Sequence, residues 1–238
     1  MLTSLPLPRF DVLRAGHALA ALMRDPDDLP QVFRLIDSMS GTAPHRLLFG
    51  FRRSEAGRRL LEHRPDILPA LADRAALRSL PAGSVGRAYL DFVTSEGISP
   101  QGIRDASHEA NATRYGAHEL EYLRTRMRDT HDLWHTVTGY RGDVLGELAL
   151  LAFTLGQHWN SAIALIVVAG LVKGFGYGKN SLVVEGFRRG RAASWLPAQE
   201  WESLLAQPLD DVRARLGLGS PPEYAPRRSA DLRAAGVI

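Results

Sequence analysis

Hydrophobic residues recur along most of the chain at intervals of three and four, which is the spacing of one buried face of an α-helix. The segment 120–134 is an example, with apolar side chains at Leu120, Leu123, Met127 and Trp134. We find no segment with the alternating pattern of a half-buried strand, and no internal repeat. The pattern therefore predicts an all-α fold, built as a multi-helix bundle in a single domain.

Glycine, proline and aspartate divide this pattern into separate helices. The predicted helices cover residues 9–23, 29–38, 55–64, 67–80, 85–93, 181–191 and 208–216. Ser54 is predicted to cap the third of them. Residues 97–111 have the weakest pattern and are predicted to be a loop. The tail contains three prolines and is predicted to be extended or disordered, so we expect a domain over residues 1–218 and a separate tail over residues 219–238.

The composition excludes several classes of protein. With 238 residues, of which 45% are hydrophobic, the chain can bury a large core. The formal charge is only +3, acidic residues are interspersed, and no nucleic-acid-binding motif is present, so no nucleic-acid partner is expected. The chain has no cysteine, which removes disulfides and thiolate ligands. The first residues lack the pattern of a secretory signal, so a cytoplasmic location is expected.

A long uncharged stretch follows residue 147, because no Asp, Glu, Lys or Arg occurs from position 148 to position 172. It is long enough to cross a bilayer, but the polar residues Gln157 and Asn160 lie near its middle. Two buried helices, over 148–154 and 161–172, are therefore predicted instead of a transmembrane span. The same composition suits a filled core and an apolar groove for a prenyl chain, and the sequence does not separate the two.

Four potential metal ligands occur in the pattern H-D-x-x-H-x11-E, at His131, Asp132, His135 and Glu147. The two histidines are four residues apart, so they share one face of a helix, and the aspartate lies beside them. Each residue alone also fits a simpler role, as a core histidine or a charge at a helix terminus. Their common spacing favours a metal site. Nitrogen and oxygen ligands suit Zn²⁺ and also Fe²⁺, Mn²⁺ or Co²⁺.

A predicted turn brings the two halves of this motif together. Gly139 and Gly142 should end the first helix, and Asp143 is a suitable N-cap for a second helix. If the two helices fold back on each other, Glu147 returns to the level of His135. The expected structure is a metal site between two antiparallel helices of the bundle.

Other charged and polar residues near the motif have two interpretations each. Arg128 shares the helix face of His131 and Asp132, so it could hold a substrate carboxylate or phosphate, or pair with Asp132. His108 and His118 could supply a further ligand or carry a proton. A solvated surface position is the favoured interpretation of both.

The run from Tyr122 to His135, together with Leu145-Gly146-Glu147, resembles the signature of the Coq-four family of ubiquinone (coenzyme Q) biosynthesis proteins. That family carries the H-D-x-x-H-x11-E motif, and all four positions match. Three further segments resemble the family in the same order, namely 54–65, 80–92 with Ser99-Pro100, and Trp201-Glu202 with the helix at 204–218. The four blocks extend over residues 9–218, nearly the whole chain.

The resemblance implies a metal, most simply zinc, held by His131, Asp132, His135 and Glu147. Arg128, which shares the helix face of the first two, is predicted from its position as a further catalytic residue. It implies oxidative decarboxylation of a polyprenylated 4-hydroxybenzoate-type precursor, in which a hydroxyl replaces the ring carboxylate. The alternative is a non-catalytic, lipid-binding scaffold that organises the ubiquinone biosynthesis complex. Both imply other proteins of the pathway as partners.

The resemblance also implies peripheral contact with a membrane, which would be the inner membrane in a bacterium. The helix predicted over residues 9–23 suits such a contact, because it has a short apolar face flanked by arginines. It equally fits an ordinary helix packed on the core. The high apolar content of the chain is also compatible with a homo-oligomer.

A third hypothesis, ranked well below these two, is a metal phosphohydrolase of the HD-domain type, since the motif contains the adjacent histidine and aspartate of that class. Such a site also needs an upstream histidine and a distant downstream aspartate. His108 or His118 could supply the first, and Asp210 or Asp211 the second. Nothing in the surrounding sequence supports these choices.

Overall fold

The computed structural model describes residues 10–110, 117–175 and 180–238, and these ranges contain helices but no strand. The α-helices are α1 (Val12–Leu22), α2 (Leu29–Met39), α3 (Ala43–Arg53), α4 (Glu55–His63), α5 (Leu68–Ala72), α6 (Arg74–Ser79), α7 (Val85–Ser95), α8 (Pro100–Glu109), α9 (His118–Asp129), α10 (His131–Thr138), α11 (Val144–Gln157), α12 (Ser161–Lys173), α13 (Asn180–Ala192), α14 (Trp201–Leu204), α15 (Leu209–Leu216) and α16 (Ser229–Ala234). A short 3₁₀ helix at Leu196–Ala198 precedes α14. The predicted all-α, single-domain fold is confirmed.

Side-chain caps account for where several helices begin. The Ser54 hydroxyl accepts a hydrogen bond from the Gly57 amide at 3.0 Å, so the predicted cap of α4 is confirmed. Asp11 accepts from the Arg14 amide at 3.0 Å, and α1 therefore begins at Val12, a little later than predicted. Each cap satisfies an amide that has no partner within its helix.

The predicted loop over residues 97–111 is wrong, because α8 occupies most of it. Ser99 caps this helix by accepting from the Gly102 amide at 3.3 Å, and Pro100 takes the first helical position. Serine followed by proline is a helix-start pattern. The helix is hard to detect because it buries little, only Pro100 and Ser107, so its apolar face is too weak to produce a clear period.

The predicted helix over residues 67–80 is interrupted at Asp73. The Asp73 carboxylate accepts from the amides of Ala75 and Ala76 at 3.1 and 2.9 Å and starts α6 as a new helix after α5.

The glycine-containing loop 174–178 lies largely outside the described residues. Residues 221–228 form no regular secondary structure, and the chain then forms α16, which the sequence pattern did not predict.

The uncharged stretch forms parts of α11 and α12, which confirms two separate helices, although α11 continues to Gln157 rather than ending near residue 154. Asn160 caps α12 by accepting from the amides of Ala162 and Ile163. No helix in the described ranges is long and apolar enough to cross a membrane.

α11 packs against α13 with almost no space between the two backbones. A Cβ added at Gly156 would lie 2.6 Å from the carbonyl oxygen of Phe187, and one added at Gly190 would overlap the carbonyl oxygen of Phe153. Only glycine allows such a close approach. Because α11 carries Glu147, its close contact with α13 helps to set the position of Glu147 in the site.

Candidate metal centre

The two halves of the sequence motif lie on α10 and α11, and the turn between them is as predicted. Gly139 ends α10 with φ of +81°, a left-handed conformation that favours glycine, and its amide donates to the His135 carbonyl at 2.8 Å. Asp143 caps α11 by accepting from the amides of Leu145 and Gly146 at 3.1 and 3.3 Å. This places Glu147 in the first turn of α11, facing α10.

Three of the four predicted ligands converge in space. His135 Nε2 lies 3.0 Å from Glu147 Oε1, and His131 Nε2 lies 3.5 Å from Glu147 Oε2. The two Nε2 atoms are 3.2 Å apart. The candidate ligand atoms of the three residues all lie within 4.8 Å of one another, so one ion could contact all of them. Two imidazoles and a carboxylate are a donor set typical of zinc and of other divalent transition metals.

The surroundings of His135 orient it as a ligand. Its Nδ1 lies 2.9 Å from the carbonyl oxygen of Tyr140, and because a carbonyl only accepts, Nδ1 carries the hydrogen. When the imidazole is neutral, the lone pair of Nε2 therefore points at the cluster, which is the arrangement that metal-binding histidines usually have. The ring of Phe92 stacks on the imidazole at 5.2 Å between centroids and holds its plane. The contact with Tyr140 could not be predicted from the sequence, since a backbone carbonyl leaves no signature.

Asp132 lies outside this three-residue cluster. Its side chain is buried and lines the same cavity as His131 and Glu147. Burial raises the pKa of the Asp132 carboxyl, while the nearby imidazoles of His131 and His135 oppose the rise. The residue is therefore adjacent to the centre, and its role as the fourth ligand stays a prediction.

The other candidate residues from the sequence lie outside the cluster of His131, His135 and Glu147. His108 and His118 are exposed, which agrees with the surface interpretation, and the side chain of Asp210 is 94% exposed. None of them belongs to the cluster of potential ligands. Arg128 is buried, and its Nε donates to Asp129 at 2.7 Å rather than to Asp132. The ligand set expected of an HD-type phosphohydrolase is therefore not brought together.

Charge and burial have opposite effects on the pKa values of His135 and Glu147. Burial disfavours a proton on His135, but the Glu147 carboxylate outweighs this effect and raises the pKa of His135 to about 9. Burial would likewise raise the pKa of the Glu147 carboxyl, but His135 and His131 hold it well below its usual range. The Glu147 side chain remains 40% exposed because it faces the cavity. Without a metal, His135 and Glu147 thus form an ion pair, and an ion must displace the proton.

We expect metal binding to release about one proton per chain near pH 7. The His135 imidazole holds a proton below its pKa of about 9, and a metal binds only the deprotonated nitrogen. The apparent affinity should therefore rise about tenfold per pH unit and level off above about pH 9. Calorimetric titration of one metal in buffers of different ionisation enthalpy measures the released proton. An affinity that no longer changes above about pH 7 would mean that His135 keeps an ordinary pKa.

A cavity of about 690 Å³ adjoins the centre, with His131, Asp132 and Glu147 on its wall. Most of the remaining wall is apolar and comes from α2, α8, α9, α11 and α12, including Val32, Phe33, Ile36, Ile103, Leu123, Met127, Leu148, Leu151, Ile163 and Ile166. The uncharged stretch thus contributes to an open cavity as well as to the core. The sequence missed the walls from α2 and α8, since residues far apart in the chain meet there.

Similar proteins agree with the resemblance found in the sequence. A family model described as "Coenzyme Q (ubiquinone) biosynthesis protein Coq4" matches residues 6–222. The "Ubiquinone biosynthesis protein coq4, mitochondrial" of Talaromyces stipitatus is 32% identical over 234 residues, which cover 92% of this chain and 76% of that protein. The "Ubiquinone biosynthesis protein COQ4 homolog, mitochondrial" of Drosophila ananassae is 31% identical over 213 residues, which cover 87% of this chain and 77% of that protein.

The fold has also been observed in a crystal. A candidate ubiquinone biosynthesis protein from Nostoc punctiforme superimposes with a TM-score of 0.68 and 22% identity, covering 89% of this chain and 100% of that one. At this identity the likeness concerns the fold alone. The match to the family model and the identity to the curated relatives show the family: the chain belongs to the Coq4 family of coenzyme Q (ubiquinone) biosynthesis proteins.

Proposed function

We propose that this member of the family catalyses a metal-dependent oxidative decarboxylation in ubiquinone biosynthesis. The substrate is a polyprenylated 4-hydroxybenzoate-type precursor. The ring C–CO₂ bond breaks, CO₂ leaves, and a ring C–OH bond forms, which is a two-electron oxidation of the substrate. Dioxygen would supply the hydroxyl oxygen, and its second oxygen atom would leave as water, so the step also needs a two-electron donor and two protons. His131, His135 and Glu147 hold the ion, with Asp132 as the proposed fourth ligand.

The observation that carries this proposal is the position of the cluster on the wall of an apolar cavity. The polar ring of the substrate would lie at His131 and Glu147, and the apolar walls would enclose the first part of the prenyl chain. A cavity of about 690 Å³ is within the range that encloses drug-sized ligands. The exposed residues Leu29 and Ile98 also line it, so they mark an opening through which a longer tail would leave.

A bound divalent ion would supply Lewis-acid stabilisation of a phenolate or carboxylate oxygen. Zinc is the ion that the family resemblance implies, and the nitrogen and oxygen donors also suit iron, manganese or cobalt. Arg128 lines the same cavity, and we assign it the binding of the substrate carboxylate until CO₂ is lost. Its bond to Asp129 holds the guanidinium in place for that role.

The surface of α1 supports the proposed membrane contact. Phe10, Val12 and Leu13 are all exposed at the beginning of this helix, and Arg14 follows them. Exposed apolar side chains beside a basic residue suit the interface of a membrane. The same surface could contact other proteins of the pathway, which is the observation that keeps the scaffold as a second candidate function.

Replacing Glu147 with glutamine separates the two candidates. Glutamine keeps the shape of the side chain but loses the negative charge that binds the ion. An enzyme would lose turnover by more than about 100-fold, as measured by product mass spectrometry with the prenylated substrate, and would still assemble with its partners. Glu62→Gln, on the exposed surface of α4, is the matched control and should keep full turnover. Unchanged turnover in Glu147→Gln would contradict the metal-dependent reaction, and wild-type protein that assembles with its partners but gives no turnover would leave the scaffold as the function.

A further inference from the structure

The C-terminal segment 221–229 is bound to the turn between α10 and α11, and Asp143 is the centre of the contact. The Asp143 side chain is buried, and its Oδ1 already caps α11. The same Oδ1 accepts from the Arg227 amide at 2.7 Å, and Oδ2 accepts from the Tyr224 hydroxyl at 3.0 Å. One carboxylate thus joins the start of α11 to a segment that is more than 80 residues later in the chain.

The segment also binds the backbone of the turn. The Arg141 amide donates to the Tyr224 hydroxyl at 2.8 Å, and the Val144 amide donates to the Arg227 carbonyl at 2.8 Å. Both amides precede or begin α11 and have no partner within that helix. The C-terminal segment therefore completes the hydrogen bonding of the turn that separates His135 from Glu147.

Close packing accompanies these hydrogen bonds. A Cβ added at Gly139 would lie 2.5 Å from Pro221 Cβ, and one added at Gly146 would overlap the Tyr224 hydroxyl. Gly146 directly precedes Glu147, and Gly139 directly follows the end of α10. At Gly139 the segment leaves no room for a side chain, and at Gly146 the carbonyl oxygen of Arg141 and the Tyr224 hydroxyl together exclude one.

A second connection passes through Glu96. The guanidinium of Arg228 pairs with Glu96 Oε2 at 2.9 Å, and Glu96 Oε1 accepts from the Gly142 amide at 3.4 Å. Both Glu96 and Arg228 line the large cavity. Ser229 then donates to Asp27, another cavity residue, at 2.7 Å. The segment crosses from the turn of the metal centre to the wall of the cavity.

We infer that residues 221–229 form a positioning strap for the metal centre, with Tyr224 as its principal positioning residue. Tyr224 and Arg227 fix Asp143, Asp143 fixes the first turn of α11, and the backbone of that turn sets Glu147 opposite His135. The amide of Glu147 itself donates to the Asp143 carbonyl at 2.8 Å. The inference rests on the proposed metal site, and it extends the centre to a segment that shares no residue with the ligand motif.

Tyr224→Phe tests the strap, because it removes one hydroxyl and leaves the ring in place. Co²⁺ serves as the probe, since its absorption spectrum reports the geometry of its ligands. We expect the dissociation constant for Co²⁺ to rise about 10- to 100-fold and the spectrum of the saturated protein to change. Tyr122→Phe is the matched control: Tyr122 lines a separate cavity with Arg64 and Arg126, and its substitution should change neither quantity.

A purely structural role would give a different result. The melting temperature of the metal-free protein would then fall in Tyr224→Phe, while Co²⁺ affinity and spectrum stayed at the values of the Tyr122→Phe control, and the strap would be overturned. Arg228→Ala provides a second variant, since this side chain is 54% exposed and its loss should not prevent folding. We expect about a tenfold weaker affinity for it, and no change would overturn the link through Glu96. Wild-type protein that binds no Co²⁺ would instead overturn the metal site itself.

Discussion

Replacing His135 with alanine is expected to lower the affinity of the protein for a divalent metal by more than about 100-fold, because loss of even an outer-shell partner costs 10- to 100-fold. His135 is the most buried of the three proposed ligands in the cluster and lies 3.0 Å from Glu147 Oε1. Its removal takes away one of the two nitrogen donors and leaves His131 and Glu147, with only the proposed fourth ligand Asp132 to add to them. Competition titration with a chromophoric chelator measures the loss.

His108→Ala is the matched control for this variant. His108 is exposed on α8, outside the cluster, so its loss should leave the metal affinity unchanged. Circular dichroism of both variants separates loss of the ligand from loss of the fold. If His135→Ala bound metal as tightly as His108→Ala did, the ion would have to lie elsewhere, and the ion pair between His135 and Glu147 would be a structural contact only.

Gly190→Ala is expected to lower the free energy of unfolding by about 3 kcal/mol or more, at the upper end of the range for overpacked cores. The added Cβ would overlap the carbonyl oxygen of Phe153 on α11, and backbone atoms cannot rotate away as a side chain can. α11 and α13 would have to move apart, and the displacement of α11 would also move Glu147, which that helix carries. Urea unfolding of the metal-free protein measures the change.

Gly16→Ala makes the same chemical change where the space is open. Gly16 lies on the exposed face of α1, and a Cβ there would meet nothing within 4 Å. Alanine is the better helix former, so this variant should be more stable by about 0.5–1 kcal/mol. Equal stability of Gly190→Ala and Gly16→Ala would contradict the close contact between α11 and α13.

The centre could be predicted from the sequence because its determinants are local. His131 and His135 share a helix face through their spacing, and Gly139 and Asp143 each act on the backbone next to them. Only one tertiary assumption was needed, that the two helices fold back on each other. The resulting prediction placed Glu147 correctly opposite His135.

Features that depend on distant contacts could not be predicted. The cavity walls from α2 and α8 meet the centre only in the folded chain, and α8 buries too little to give a clear pattern. Tyr224 binds Asp143 across 81 positions, which no local period can reveal. Asp132 follows His131 directly on α10, so its side chain leaves the helix about 100° away from that of His131, and it lies outside the cluster.

The metal content of the wild-type protein, purified without chelators and measured by mass spectrometry of the elements, tests the metal centre most directly. We predict about one divalent ion per chain, with a prenylated phenol or quinone among the extracted lipids. A folded protein that contains no ion, and takes up none when zinc, iron, manganese or cobalt is supplied, would contradict the metal centre. His131, His135 and Glu147 would then be a polar contact on the wall of a lipid-binding cavity.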